Sequence, residues 1–210
     1  MKVLHIDSSI MGKDSITRDL TASIVTHIQA SHPDAQVQRR DLAYKEVRHL
    51  SGSIAAGFRQ TGNSDFSADI LLEHQLSETL VTEFLASEVL VIGAPMYNFS
   101  VSTQLKAWLD RVAQVGRTFK YTERGPVGLC GGKRVIVASA RGGFYAEGPF
   151  QNMDFQESYL KAFFGFLGID DIEFVRAEGA SKGEQIRDKG VTLAKNTITS
   201  AVTRLSAANY

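Results

Sequence analysis

Short, mostly apolar runs recur along this chain, and the stretches between them repeat their apolar residues at helical spacing. KVLHID at 2–7, VLVIGAP at 89–95, RVIVASA at 134–140 and DIEFVRA at 171–177 read as strands, three of them apolar enough to be buried on both faces. AQVQRRDL at 35–42 alternates only loosely and reads as a fifth strand near a sheet edge. A strand buried on both faces needs a layer above and below it. Right-handed crossover helices supply both layers when neighbouring strands run parallel. The pattern therefore predicts an α/β fold, a doubly wound five-stranded parallel sheet with helices on both faces.

The helical segments carry their own punctuation. From Asp14, read as an N-cap, Ile16, Leu20, Ile24 and Ile28 follow one face until His32-Pro33 ends the turn. Leu72, Leu76, Leu80 and Phe84 mark a long helix, and Leu105, Trp108, Leu109 and Val112 mark another that closes near Gly116. A further helix runs around Tyr159, Phe163, Phe166 and Leu167. Ser181-x-x-Glu184, a capping-box spacing, opens the last one through Ile186, Leu193, Ile198 and Val202. TFKYTERGPVGL reads as a small hairpin, while residues 43–66 show no lasting period. With no repeat or linker, all 210 residues are expected to form one domain.

Charge and cysteine content narrow the function. Lys plus Arg equals Asp plus Glu at 23 each, so no net field attracts nucleic acid or an anionic membrane. The amino terminus lacks the apolar core of a signal peptide, and no stretch approaches a membrane span. A single cysteine, Cys130, forms no internal disulfide and suits a reducing compartment, so a cytoplasmic location is expected. His27 and His32 lack metal-ligand spacing, and no metal is expected. GLCGGKR at 128–134 lacks one spacer and the Ser or Thr of a phosphate-binding P-loop, and no G-x-G-x-x-G occurs. Arg59, in the irregular segment, is read as solvated.

In a doubly wound sheet, ligands bind outside the carboxyl ends of the strands. Three segments lie there. SSIMGKDSIT empties into a helix N-terminus, where free N–H groups and the helix dipole favour a phosphate, with Ser9, Ser15 and Thr17 adding hydroxyls. Each of these residues equally suits an ordinary capped turn. PMYNFS at 95–100 offers an apolar wall for a flat ring, or a plug for the top of the core. Ser139-Ala140-Arg141-Gly142-Gly143 allows close backbone approach, or makes a plain turn. Their conjunction on successive strands suits a mononucleotide carrying a flat ring.

The motifs SSIMGKDSIT, APMYNFSVSTQLKAWLD, TFKYTERGPVGL and SARGG resemble those of the FMN-dependent NADH-azoreductases, flavodoxin-like homodimers also described as quinone reductases, over essentially the whole chain. The resemblance implies that FMN is bound with Ser9, Ser15, Ile16 and Thr17 around its phosphate. Ile16 stands where the family often has Gln, so it would contribute only its backbone. Met96, Tyr97, Asn98 and Phe99 would flank the isoalloxazine, and Ser139, Arg141, Gly142 and Gly143 its polar edge. Ala140 interrupts the family's usual hydroxyl-Arg-Gly-Gly order, which bears on one side-chain hydrogen bond. NADH or NADPH would donate electron pairs in a ping-pong cycle through flavin N5, with quinones or azo compounds as acceptors and no protein residue as catalytic acid or base. Tyr121 and Phe163 would line a substrate pocket completed across a homodimer. Phe163 also suits core packing. The alternatives are a flavodoxin-type electron carrier, usually shorter and markedly acidic, and a binding module that has lost its cofactor.

Overall fold

The computed structural model describes residues 1–58 and 65–207. In chain order the elements are β1 (Lys2–Asp7), α1 (Ile16–Ser31), β2 (Gln36–Asp41), α2 (Gly52–Ala56), α3 (Ala68–Ala86), β3 (Val89–Pro95), α4 (Thr103–Val112), β4 (Phe119–Thr122), β5 (Gly125–Gly128), β6 (Arg134–Ala140), α5 (Phe155–Phe166), β7 (Asp171–Ala177) and α6 (Glu184–Ala207). Five strands form a parallel sheet in the order β2-β1-β3-β6-β7. This is the expected flavodoxin-like α/β architecture.

The two-residue period of the strands divides the core in two. Leu4, Ile6, Leu90, Ile92, Val135 and Val137 face α3, α4 and α5, where Phe84, Trp108 and Phe164 are buried. Val3, Val89, Val91, Ile136, Ala138 and Val175 face α1 and α6, against Ile24, Ile28, Ile198 and Val202. β3 is buried at every position, whereas β2, at the edge, stays half-open to solvent. That difference is why one reads as a continuous apolar run and the other as a loose alternation.

Helix boundaries depart from the sequence reading in three places. Asp14 is used up in a 3-10 turn over Gly12–Asp14, and Ser15 caps α1, its Oγ accepting from Arg18 N–H at 3.3 Å. α4 stops at Val112, short of Gly116, where the Thr118 hydroxyl donates to the Val112 carbonyl at 2.9 Å and accepts from Gln114 N–H. α6 starts at Glu184 itself, so Ser181 does not cap it; Ser181 N–H donates to the Gly142 carbonyl at 3.0 Å. Leu72 is 63% exposed and belongs to no buried face, unlike Leu80 and Phe84. In the 43–58 segment Val47 and Ile54 are buried, and Ile54 lies on the short α2. Arg59 lies outside the described residues.

β4 and β5 form the expected antiparallel hairpin. Its second strand presses against the turn after α5, where a Cβ on Gly128 would lie 2.1 Å from the backbone of Leu167 and Gly168. Only glycine permits that approach. Cys130, at the base of the hairpin, is buried, and burial raises its thiol pKa, so it is held as the unreactive thiol.

Candidate functional site

The sheet order reverses between β1 and β3, and a cavity of about 410 Å3 opens beyond the carboxyl ends of β1, β3 and β6. Ser9, Ser15, Ile16, Thr17, Met96, Tyr97, Arg141 and Gly142 line it, together with Met11, Asp14, Pro95, Ala140, Ala180, Ser181 and Arg187. The three loops singled out in the sequence thus meet around one space.

At the first corner, α1 points its amino terminus at the cavity. Among the described residues the N–H groups of Ile16 and Thr17 make no hydrogen bond, as expected for the opening turn of a helix. The Ser15 and Thr17 hydroxyls lie 3.1 Å apart beside them. Ser9 Oγ accepts from Met11 N–H at 3.3 Å and lies 3.4 Å from the Tyr97 hydroxyl, which also accepts from Ile10 N–H. Tyr97 therefore ties the ring loop to the hydroxyl loop.

The ring loop is held in a costly shape. Tyr97 and Ser100 exchange backbone hydrogen bonds at 3.0 and 3.1 Å, which forces Asn98 to φ 47° and Phe99 to φ 70°. Left-handed backbone at two successive non-glycine residues costs on the order of 1–3 kcal/mol each and persists only where surrounding contacts hold it. Phe99 remains 39% exposed, edge-on to Tyr145 at 6.3 Å.

In the glycine loop, the Gly142 and Gly143 carbonyls accept from Ser181 and Gly179 N–H, leaving the two glycine N–H groups without partners among the described residues. A Cβ on Gly142 would come within 2.8 Å of Ser181 Oγ. Ser139 and Arg141 face the other way. Ser139 is fully buried, its Oγ donating to Gln156 Oε1 at 2.7 Å. Arg141 touches the cavity only at its edge, because its guanidinium is buried among Asp154 at 2.9 Å, Glu178 at 3.2 Å and Glu157. Burial alone would raise the Glu157 pKa, but the hydrogen bond from Arg176 and the charges of Arg141 and Arg176 hold it below its ordinary value.

Tyr121, 69% exposed on the hairpin, packs edge-on against Phe119, and Phe163 packs between Tyr159 and Phe164 on α5. Neither lines this cavity. The sequence reading did not single out Asp154, Gln156, Glu157, Glu178 or Arg187. Asp154-x-x-Glu157 had the spacing of a helix start, and Asp154 does cap α5 by accepting from Gln156 and Glu157 N–H. The other residues carry no local signal.

Asp7, at the end of β1, supports the same corner from below. Its carboxylate accepts from Thr21 Oγ1 at 2.9 Å and Arg39 Nη2 at 2.8 Å and lies 3.3 Å from His5 Nε2. Burial would raise its pKa, but His5, Arg39 and Thr21 together bring it down to about 2. With the folded value below the ordinary 3.8, this group stabilises the fold fully above that pH, and the contribution is lost as pH falls through about 2. The linkage is on the order of 2 kcal/mol. Urea unfolding midpoints should drop over that acid window in the wild type and change less in Asp7→Asn; equal acid slopes would refute the assignment.

A parallel sheet with a topological switch, an open helix N-terminus and an apolar loop over one cavity defines a nucleotide-binding protein of the flavodoxin-like class. The family pattern described as a flavodoxin-like fold matches residues 1–201. The chain is 58% identical over 208 residues to a protein from Ralstonia nicotianae named FMN-dependent NADH:quinone oxidoreductase, covering 99% of this chain and 100% of that one. It is 59% identical over 183 residues to FMN-dependent NADH:quinone oxidoreductase 2 of Xanthomonas axonopodis pv. citri, covering 87% and 85% of the two chains. A crystal structure of an FMN-dependent NADH-azoreductase from Bacillus anthracis in complex with FMN superposes with a TM-score of 0.87 at 25% identity, covering 97% of this chain and 98% of that one. The chain belongs to the FMN-dependent NADH:quinone oxidoreductase family.

Proposed function

We infer that this protein is an FMN-dependent oxidoreductase that takes electron pairs from a reduced nicotinamide nucleotide and delivers them to quinones or azo compounds. The observation that carries this reading is the open N-terminus of α1, with unpartnered Ile16 and Thr17 N–H groups facing a cavity whose other walls are the ring and glycine loops. A phosphate fits the first feature by charge and hydrogen bonding, and a flat ring with a polar rim fits the second. Bound FMN supplies hydride transfer at N5.

The chain's residues bind and orient. Ser9, Ser15 and Thr17 offer hydroxyls to the phosphate, and Met96 and Tyr97 offer apolar surface to the ring. Gly142 and Gly143 N–H groups donate to its polar edge. The protein need supply no acid, base or nucleophile, because the hydride is exchanged on the cofactor. We read the chain as a single domain acting in the cytoplasm; no described helix is long and apolar enough to cross a membrane. Tyr121 and Phe163 are read as completing the substrate pocket of a second copy. The exposure of Tyr121, Val127 and Leu129 around the hairpin supports such pairing. A fully active monomer in sedimentation would refute it.

The test is spectroscopic. Purified protein should take up FMN, lose the visible flavin band when NADH is added without oxygen, and recover it with a benzoquinone. A bound flavin that NADH fails to bleach would favour an electron carrier instead. Failure to bind flavin would refute both.

A further inference from the structure

The first turn of α5 is the place where the two ring-facing loops are joined. Gln156 is fully buried, and its carboxamide bridges two strands: Nε2 donates to the Ala94 carbonyl at 3.0 Å, and Oε1 accepts from Ser139 Oγ at 2.7 Å. Ala94 is followed directly by the ring loop and Ser139 by the glycine loop. The neighbours of Gln156 repeat the pattern. Phe155 N–H donates to the Phe99 carbonyl at 3.1 Å, on the very residue held at φ 70°. Asp154 and Glu157 hold the Arg141 guanidinium.

We propose that the turn Asp154–Glu157 is a positioning element for the flavin, and that Gln156 is its central positioning residue, fixing the spacing between the ring loop and the glycine loop. This rests on the reading that FMN occupies the cavity. A rigid ring must meet apolar surface from one loop and N–H groups from the other at the same time, so a small change in their separation weakens one set of contacts. Both polar ends of the Gln156 side chain are spent on that separation. Removing them takes the side-chain donor from the Ala94 carbonyl and the acceptor from the buried Ser139 hydroxyl, which keeps only the Arg141 Nε–H at 3.1 Å, so the loops gain a reason to part.

The variants are Gln156→Met, which keeps the volume and loses both hydrogen bonds, and Ser139→Ala, which loses one of these two together with the bond from Arg141 Nε. Ile28→Ala, in the core on the α1 face, serves as a stability control. The measurements are the apoprotein melting temperature, the FMN dissociation constant by flavin fluorescence, and the visible circular dichroism of the bound flavin. Gln156→Met should weaken FMN binding about tenfold or more and Ser139→Ala about threefold, both with an altered flavin dichroism. Ile28→Ala should lower the melting temperature while leaving affinity and dichroism as in the wild type. Unchanged flavin affinity and dichroism in Gln156→Met would overturn the proposal, as would equal weakening by Ile28→Ala. Should Gln156→Met not fold, Ser139→Ala decides by the same two readouts. Wild-type protein that takes up no FMN would instead refute the functional reading beneath it.

Discussion

Ser15→Asp should leave the apoprotein as stable as the wild type, or slightly more so, while weakening FMN binding about a hundredfold. Ser15 caps α1 through a side-chain oxygen that accepts from Arg18 N–H, and an aspartate carboxylate performs the same task. A negative charge at a helix N-terminus adds a few tenths of a kcal/mol through the dipole. The same charge would sit beside the unpartnered N–H groups of Ile16 and Thr17, where the phosphate is placed. Two negative charges about 5 Å apart at an effective dielectric near 20 repel by about 3 kcal/mol, and a phosphate carries more than one. Urea unfolding of the apoprotein and flavin fluorescence titration measure the two effects separately. A variant that binds FMN as tightly as the wild type would move the phosphate away from α1. A destabilised apoprotein would instead mean that Ser15 does more than cap.

Arg141→Met should have the largest effect on stability, a loss of about 3–5 kcal/mol. Arg141 is 1% exposed, and its guanidinium is shared by Asp154, Glu157 and Glu178, which come from two different connections. Removing the cation leaves three carboxylates crowded together, with Arg176 still paired to Glu157 at 2.5 Å but no group in reach of all three. Glu178 is also the anchor of the segment after the glycine loop, accepting from Tyr145 and Ala146 N–H at 2.7 and 2.9 Å. Arg141→Lys should recover only part of the loss, because an ammonium cannot fork toward carboxylates on different sides. The sign of the pH dependence follows from Glu157, whose pKa is depressed in the fold: its stabilising contribution is present above its ordinary pKa and lost as pH falls through the depressed one. The difference between wild type and Arg141→Met should therefore be widest near neutrality and shrink in acid. Melting temperatures within about 1 °C of each other at neutral pH would rule out the clamp.

Which parts of this were legible beforehand depends on how far each residue reaches along the chain. β3 and β6 appear at 89–95 and 134–140, where their apolar runs placed them, because a strand covered on both faces must be apolar at nearly every position. The hairpin was visible in its glycines and short alternation. Cap positions were less legible. Thr118 overrides the helix end expected near Gly116 from across a turn, and Ser181 gives up its capping spacing to bind the glycine loop.

The sequence by itself determined the layered parallel sheet, the order of its helices and the three polar or glycine-rich strand ends, since burial periodicity and helix-start chemistry act over a few residues. The tertiary structure decided the direction in which the site residues face. Arg141, which sequence alone leaves free to face a ligand, turns inward to three acids, and Ser139 turns to a glutamine 17 positions away. The physical reason is that a buried charge or hydroxyl must be paired wherever the partner happens to lie. Its partners on α5 and after β7 come near only once the crossovers have closed.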